Sequence, residues 1–220
     1  MDLESIQKKA LILIQQGRFA DVAPLLEQAV NGADNHEKES LIPLAEALGL
    51  ECYYEKAGFF AAGECYRLAA DLAAAVFGES DSRSIQKLRR TANHYAGPDY
   101  HLTQSQKHDS AARAVELSQR LFAVLEQHRP DDLEALADCA VLEVFCLDWN
   151  TPLTNEVFQE HKDLYYRTLD LTAKAYGPES SEFGGQCQRV ADFLKTNGQK
   201  KQAAEFQTKY EQIAAALGEL

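Results

Sequence analysis

The stretch Ala57–Ser82 is the sequence feature that most restricts the fold, because it recurs later in the chain. It reads AGFFAAGECYRLAADLAAAVFGESDS, and a weaker copy spans Tyr165–Ser181, so that Gly78 and Gly177 are 99 residues apart. Each copy reads as a helix that is closed by a glycine and followed by a loop. Such recurrence predicts a repeat protein, whose stacked units form a binding surface rather than a catalytic pocket.

The composition favours helices over sheets. Of the 220 residues, 45% are hydrophobic and 25% are charged, which is ordinary for a folded domain. Alanine and leucine are abundant whereas valine and isoleucine are scarce, and this balance favours helix. With 6 prolines and 12 glycines, no segment has the composition of a disordered linker. A folded, helical protein is therefore expected.

The charge of the chain restricts its partners and its location. The formal net charge of −12 argues against nucleic acid as a general partner, because a negative field repels phosphates. It suits a basic partner, or simply keeps the protein in solution. Asp2 and Glu4 stand where a signal peptide would be basic and then apolar. The longest apolar runs are far below the ~20 residues of a membrane span. A cytoplasmic protein without a membrane segment is expected.

Apolar residues recur at helical spacing along the whole chain, and turn residues separate the runs. The first turns fall at Gly17 and Asn31-Gly32, and the last falls at Asn197-Gly198. Ten helices in five antiparallel pairs are therefore predicted, with no strand of any length. The predicted architecture is a single all-α repeat domain over residues 1–220.

Two segments interrupt this alternation. Gly97-Pro98-Asp99 breaks the chain, and residues 97–110 are expected to hold a loop before a helix that begins near Asp109. Residues 147–156 contain a second turn cluster around Trp149. This tryptophan is expected to pack under a loop, with an exposed partner contact as the alternative.

Small and aromatic residues alternate where paired helices must approach. Two helices packed ~8–10 Å apart need small residues where their backbones meet. In the second pair these positions are Ala57, Phe59, Ala62, Tyr66 and Ala69. This spacing resembles the tetratricopeptide repeat (TPR) family. The segment Tyr66–Leu72 with Phe77-Gly78-Glu79-Ser80 is similar to the long-loop variant of kinesin light chains, and Tyr165–Ser181 is similar again.

The resemblance implies a right-handed α-solenoid of about five TPR-like helix pairs with a concave inner groove. TPR grooves often hold a peptide, with Asn on its backbone and Lys or Arg on its carboxylates. His161 stands where the repeat prefers Ala, and the two irregular segments also depart from the pattern. A non-repeating helical bundle is the alternative architecture. Such motifs specify the fold and not the ligand.

The first helix of each pair lines the inner face of such an array. The aligned small positions of these helices are Ala10, Leu50, Ala92, Ala140 and Ala191, of which only Leu50 is not small. Nearby residues on the same helices are predicted to point into the groove. The candidate partner-binding residues are Lys8, Glu51, Tyr54, Arg89, Arg90, Asn93, Asp138, Val141, Phe145, Arg189 and Asp192.

The sequence has a basic cluster in an otherwise acidic protein. Arg89, Arg90 and Asn93 lie close together, and Arg90 and Arg189 occupy equivalent positions of their repeats. Planar guanidinium groups suit bidentate contacts with carboxylates. These arginines either hold a partner or only pair with acidic neighbours such as Glu51 and Asp138, because exposed ion pairs are common.

Motifs of catalysis and metal binding are absent. His94, His101 and His108 are spaced by seven, but seven helical residues rise ~10.5 Å, too far to share one ion. No P-loop, GxGxxG, HExxH or nucleophile elbow occurs. The five cysteines form no CxxC pair and are expected to be small buried hydrophobes in a reducing compartment. No enzyme activity, cofactor or metal is predicted, although a Cys–His nucleophile pair stays open.

The predicted function is a non-catalytic scaffold or adaptor that binds a protein or peptide along its groove. One alternative is a chaperone-like or regulatory module that masks a partner's segment, and another is an enzyme on a helical fold. An adaptor is expected to expose Arg90 and Asn93. A masking module is expected to expose Tyr54, Val141 and Phe145. The sequence names neither the partner nor the oligomeric state.

Overall fold

The computed structural model describes residues 2–55, 57–97, 102–147 and 155–218. Within these ranges it contains ten α-helices, a short 3-10 turn at Phe19–Asp21 and no strand, which confirms the all-α prediction. The helices are α1 (Leu3–Gln15), α2 (Val22–Val30), α3 (Asn35–Tyr53), α4 (Phe59–Phe77), α5 (Ser82–Ala96), α6 (Gln104–His128), α7 (Leu133–Leu147), α8 (Asn155–Tyr176), α9 (Ser181–Thr196) and α10 (Lys200–Leu217).

The chain divides into two compact units, Met1–Val124 and Leu125–Leu220, and the boundary lies within α6. In the first unit, α1 packs against α2 and α3, and α4 packs against α2, α3 and α5. In the second unit, α8 contacts α7 and α9, and α10 packs against α9. Consecutive helices therefore pack in chain order in each unit, as TPR-like pairs do. A single domain over residues 1–220 stays a prediction.

Short polar side chains begin several helices by accepting hydrogen bonds from free backbone N–H groups. Asp34 and Glu37 form a reciprocal capping box at the start of α3, with both distances 2.9 Å. Asp81 caps α5 by accepting from the Arg83 N–H at 2.8 Å, as its position before the helix predicts. The helix starts thus follow from local sequence.

The prediction for residues 97–110 is wrong over its second half, because α6 begins at Gln104 and not near Asp109. Thr103 and Gln106 form the start of this helix. The Thr103 N–H donates to the Gln106 side-chain oxygen at 2.9 Å, and the Gln106 N–H reaches Thr103 Oγ1 at 3.4 Å. This is the Thr-x-x-Gln capping box, a signal that the sequence itself contains. Residues 98–101 and 148–154, with His101 and Trp149, lie outside the described residues.

Glycines allow α3, α4 and α5 to approach closely. A Cβ at Gly49 of α3 would lie 2.7 Å from the ring of Tyr66, and one at Gly63 of α4 would lie 2.3 Å from the ring of Tyr95. Carbon atoms do not pack at such distances, so neither position accepts a larger residue without movement. Two glycines that the sequence analysis did not name thus lie where these helices approach.

Ion pairs join α2, α4 and α6 on the first unit. Arg67 of α4 lies at the centre, within 2.9 Å of both Glu64 and Asp71 and 3.3 Å from Glu27. Arg120 of α6 extends the network to Asp71 at 2.8 Å. The charges are partly exposed, so each pair alone stabilises little, but shared carboxylates make a network.

Glu64 contacts two arginines of this network, Arg67 and Arg113. Burial opposes its ionisation, yet hydrogen bonds from Arg67 and Arg113 and their positive charges outweigh burial, so the pKa of Glu64 is lowered. The Tyr95 hydroxyl also donates to Glu64, at 3.1 Å. The ionised carboxylate is therefore favoured by the folded state.

Replacing Glu64 by glutamine should lower the free energy of unfolding at pH 7 by about 1 kcal/mol, because two charge-assisted hydrogen bonds weaken. A lowered folded pKa gives stability that is present above the unfolded pKa, about 4.3, and is lost as pH falls through the folded value. The difference between wild type and Glu64→Gln should therefore shrink in acid. Urea unfolding at pH 7 and pH 3 measures it, with the exposed Glu160→Gln as control. An equal difference at both pH values would contradict this assignment.

Candidate functional site

Exposed and half-buried side chains of α3, of α5 and of Tyr54, which follows α3, lie side by side on the first unit, and we call them the α3/α5 surface. Its residues are Glu46, Leu50, Tyr53, Tyr54, Lys87, Arg90, Asn93 and His94. Tyr54 is 74% exposed and Tyr53 is 52% exposed, although both carry large apolar rings. Adjacent exposed aromatic rings are typical of interaction surfaces.

One carboxylate organises the basic residues of this surface. Glu46 accepts from Lys87 Nζ at 2.6 Å and from Arg90 Nη1 at 3.1 Å. The Arg90 guanidinium also lies 4.6 Å from the centre of the Tyr66 ring, and this cation–π contact helps to orient the guanidinium. Two cations share one anion, so one positive charge is left over, and the Arg90 side chain is 45% exposed. The arrangement suits a carboxylate on a ligand.

His94 fixes the aromatic part of the surface. Its Nε2–H donates to the Phe59 carbonyl at 2.9 Å, because a carbonyl can only accept. The His94 ring stacks on Phe59 at 4.4 Å and meets the edges of Tyr66 at 5.2 Å and Tyr53 at 5.7 Å. Tyr53 is therefore anchored to α5, whereas the Tyr54 ring contacts Tyr53 and projects into solvent.

The second unit repeats this aromatic arrangement with a different central ring. The residues 99 positions after Phe59, Tyr66 and His94 are Phe158, Tyr165 and Phe193. Phe193 stacks on Tyr165 at 4.4 Å and on Phe158 at 5.3 Å. The recurrence predicted from sequence is thus present in side-chain packing, with Phe193 in the place of His94.

The predicted residues of the first unit fall in three places. Tyr54, Arg90 and Asn93 lie on the α3/α5 surface and are exposed. Arg89 is half-buried on α5. The remaining two are exposed, Lys8 on α1 and Glu51 on α3. The acidic partner of Arg90 is Glu46 rather than the expected Glu51.

The structure moves the alignment of α3 by one residue. Gly49 is buried against Tyr66, whereas Leu50 is 38% exposed, so Gly49 and not Leu50 matches the buried Ala92 of α5. In this alignment Glu46 of α3 occupies the position that Arg89 occupies in α5. A glycine inside a helix is unfavourable unless packing requires it. Gly49 in the middle of α3 is therefore the sequence signal that could have given the correct alignment of this helix.

In the second unit the predicted residues lie on α7 and α9. Arg189 of α9 lies with its guanidinium 5.7 Å from the centre of the Phe145 ring of α7. Val141 and Phe145 are half-buried, and Asp192 is exposed. Asp138 accepts from the Tyr176 hydroxyl at 2.9 Å.

The pair of Asp138 and Tyr176 joins α7 to α8. Burial and the hydrogen bond to Asp138 raise the pKa of Tyr176 to about 12. The phenol is therefore neutral at physiological pH and donates its proton to the carboxylate. Asp138 thus has a structural partner within its own unit.

A cavity of about 570 Å³ lies in the first unit between α1, the end of α2 and the start of α3. Its polar lining includes Asp2, His36, Glu37 and Ser40. Asp2 accepts a hydrogen bond from the Ser5 N–H at the start of α1, and Glu37 accepts one from the Asp34 N–H at the start of α3. The Ser40 hydroxyl donates to the His36 backbone carbonyl at 3.1 Å and not to an imidazole. These groups serve helix ends and form no nucleophile–base pair.

Metal sites and membrane spans need features that the described ranges do not contain. No cluster of three or more His, Cys, Asp or Glu side chains that could hold a metal ion occurs there. No helix of the described residues is long and apolar enough to cross a membrane. All five cysteines are buried and free of disulfides, as their sequence context predicts.

No protein-family model matches the chain, and no curated protein matches it significantly. Solved structures do match. One is a Podosopora anserina protein with nearly identical TPR-like repeats named for the kinesin light chain, with 20% identity over 98% of this chain and 96% of that one and a TM-score of 0.54. A point variant under the same name has 18% identity over 99% and 97% of the two chains, with the same TM-score of 0.54.

A third structure is BtubC (BKLC) from P. vanneervenii, with 15% identity over 99% of this chain and 82% of that one. Its TM-score is 0.57. At these identities the matches establish the architecture and not the ligand. The chain has the TPR-like helical repeat fold of these kinesin light chain-like structures.

Proposed function

We propose that the chain is a non-catalytic scaffold or adaptor that binds a protein or peptide through the exposed faces of α3 and α5. The observation that carries this proposal is the exposed pair Tyr53 and Tyr54 beside the surplus positive charge of Arg90 and Lys87. Aromatic rings and arginine are the residues that most often dominate binding energy at protein interfaces. The fold supports a general role in protein interaction.

The exposure of individual residues supports an adaptor over a masking chaperone. Arg90 and Asn93 are exposed, as an adaptor requires, whereas Val141 and Phe145 are half-buried. A module that covers an apolar segment would need those two side chains open to solvent. Of the three side chains that a masking module is expected to expose, only Tyr54 is exposed, so masking by the α3/α5 surface is the second candidate.

The proposal extends to the second unit and to the setting of the protein. Arg189 and Phe145 would provide there the cation and ring that Arg90 and Tyr66 provide in the first unit. The net charge of −12 supports a protein partner over a nucleic acid. We place this activity in the cytoplasm, without a cofactor or a metal.

Peptide selection on the full chain tests the proposal. Random peptides displayed on phage are selected against the wild type, and the affinity of enriched peptides is measured by calorimetry. Tyr54→Ala should weaken binding about tenfold or more, the effect of losing an aromatic anchor. Its melting temperature should not change, because Tyr54 is 74% exposed. The exposed Leu217→Ala on α10 is the matched control. Equal affinity of Tyr54→Ala and wild type would refute the proposed surface.

The charge of Arg90 needs a neutral substitution. Arg90→Glu would place a second carboxylate beside Glu46, and repulsion would lower stability together with binding. Arg90→Gln keeps a polar side chain of similar length and removes the positive charge. Binding of acidic peptides should fall with Arg90→Gln. The control is Arg18→Gln, which removes an exposed arginine that pairs with Asp21 away from the α3/α5 surface, and it should leave binding unchanged.

A further inference from the structure

A small cavity lies in the first unit where the turn between α4 and α5 meets α6. Its volume is about 10 Å³, which is just enough for one water molecule. Ser84, Leu88 and Val124 in its lining are buried, whereas Glu79 is exposed and Arg120 is half-buried. The cavity therefore leads from the core of the unit towards its surface.

Ser84 supplies a buried hydroxyl to this cavity. The residue is 3% exposed, and its Oγ has no hydrogen-bond partner among the described residues. By contrast, the buried Thr91 hydroxyl of the same helix donates to the Lys87 carbonyl at 2.9 Å, and the buried Ser110 hydroxyl donates to the Tyr95 carbonyl at 2.6 Å. A buried hydroxyl without a hydrogen bond is costly, so Ser84 needs a partner that can enter the cavity.

An ion pair brings further hydrogen-bonding groups to the same cavity. Arg120 of α6 donates to Asp71 at 2.8 Å and to Glu79 at 3.3 Å. A guanidinium carries more N–H groups, and a carboxylate more lone pairs, than these two contacts use. The lining thus contains both a donor and an acceptor that can take another partner, in addition to the hydroxyl of Ser84.

We propose that this cavity binds one ordered water molecule, which joins the Ser84 hydroxyl to the Arg120–Glu79 ion pair. A buried water molecule needs two to about four polar partners, and the lining supplies three. Water fits the site in volume, and it can donate to Glu79 while it accepts from Arg120 or Ser84. The ligand is neutral, as suits a pair of opposite charges.

The equivalent position of the second unit shows a different way to fill such a space. The residue 99 positions after Ser84 is Phe183, which is 5% exposed. The Lys209 ammonium of α10 lies 4.6 Å from the centre of the Phe183 ring, so a cation of the following helix is present there as well. A serine is far smaller than a phenyl ring, and a water molecule would complete the packing of the first unit at this position.

The water would add α5 to a network that already joins two other elements. Arg120 links α6 to α4 through Asp71 and to the turn between α4 and α5 through Glu79. Hydrogen bonds through an ordered water are nearly as favourable as direct ones. A water-mediated contact with Ser84 would therefore restrict local opening of this turn.

A crystal structure of the full chain, at a resolution that shows ordered water, tests the proposal. We expect water density about 2.7–3.2 Å from Ser84 Oγ, and within the same distance of a nitrogen of Arg120 or an oxygen of Glu79. The density should disappear in the Ser84→Ala variant. A Ser84 hydroxyl that donates to a protein carbonyl, with no water density in the cavity, would overturn the proposal.

Thermal unfolding gives a second test, because a water-bound hydroxyl and an unpaired one predict changes of opposite sign. If water is bound, Ser84→Ala removes a satisfied group, and the melting temperature should fall by about 2–4 °C relative to the control. If the hydroxyl is unpaired, the same substitution should raise the melting temperature. The control is Ser105→Ala, an exposed serine in the first turn of α6, which corrects for the helix propensity of alanine. A higher melting temperature for Ser84→Ala than for Ser105→Ala would refute the bound water.

Discussion

Replacing Phe193 by alanine should lower the free energy of unfolding by about 3–5 kcal/mol, the range for removing a buried aromatic side chain. Phe193 is 8% exposed and stacks on both Phe158 and Tyr165. Alanine would leave a cavity between α8 and α9 that neighbouring rings can fill only in part. Urea unfolding followed by circular dichroism measures the loss, with the exposed Asp192→Ala as the neighbouring control.

The equivalent position of the first unit gives a matched comparison. His94 is half-buried and makes one hydrogen bond to Phe59, so His94→Ala should cost about half as much, near 2 kcal/mol. His94→Phe should be within about 1 kcal/mol of the wild type, because a lost hydrogen bond is offset by added apolar area. If Phe193→Ala were no more costly than Asp192→Ala, the aromatic cluster would not be a stabilising core.

Replacing Gly58 by alanine should lower the free energy of unfolding by about 1–3 kcal/mol, the usual cost of overpacking. A Cβ at Gly58 would lie 1.9 Å from the carbonyl oxygen of Cys52, so backbone must move. The cost comes from this contact and not from torsion, because the φ of Gly58 is −91°. The melting temperature should fall by about 2–4 °C per kcal/mol, which calorimetry measures.

Gly185 is the matched control for this substitution. It lies inside α9, and a Cβ there would meet no atom within 4 Å. Gly185→Ala should therefore raise stability by up to about 1 kcal/mol, the helix propensity difference between the two residues. Stability changes of opposite sign for Gly58→Ala and Gly185→Ala would show that the contact made by the new methyl group decides the effect of the substitution. A neutral Gly58→Ala would show that the hairpin can shift without cost.

Much of the fold could be read from local sequence. The helices α8, α9 and α10 begin at Asn155, Ser181 and Lys200, directly after turn residues in the sequence. Gly78 and Gly177 end their helices with φ of +92° and +93°, values that favour glycine at both copies of the motif. The start of α6 could also have been found, since its capping box is a local pattern in the sequence.

The candidate site could be predicted only in part. The exposure of Tyr54, Arg90 and Asn93 could be predicted, because these residues lie off the buried stripes of α3 and α5. Glu46 was missed because only its contacts with Lys87 and Arg90 of another helix identify it. Which carboxylate meets which arginine depends on distances between helices, and sequence spacing does not give them.

Local sequence by itself determined that this chain forms short amphipathic helices joined by turns and packed in chain order, because apolar spacing, caps and glycine stops act within a few residues. Tertiary structure alone decided which side chains meet. It placed Arg90 against Glu46, and it placed His94 among three aromatic rings of α3 and α4. Such contacts join different helices, so their geometry is set by how close the helix axes come, a property of the packed units.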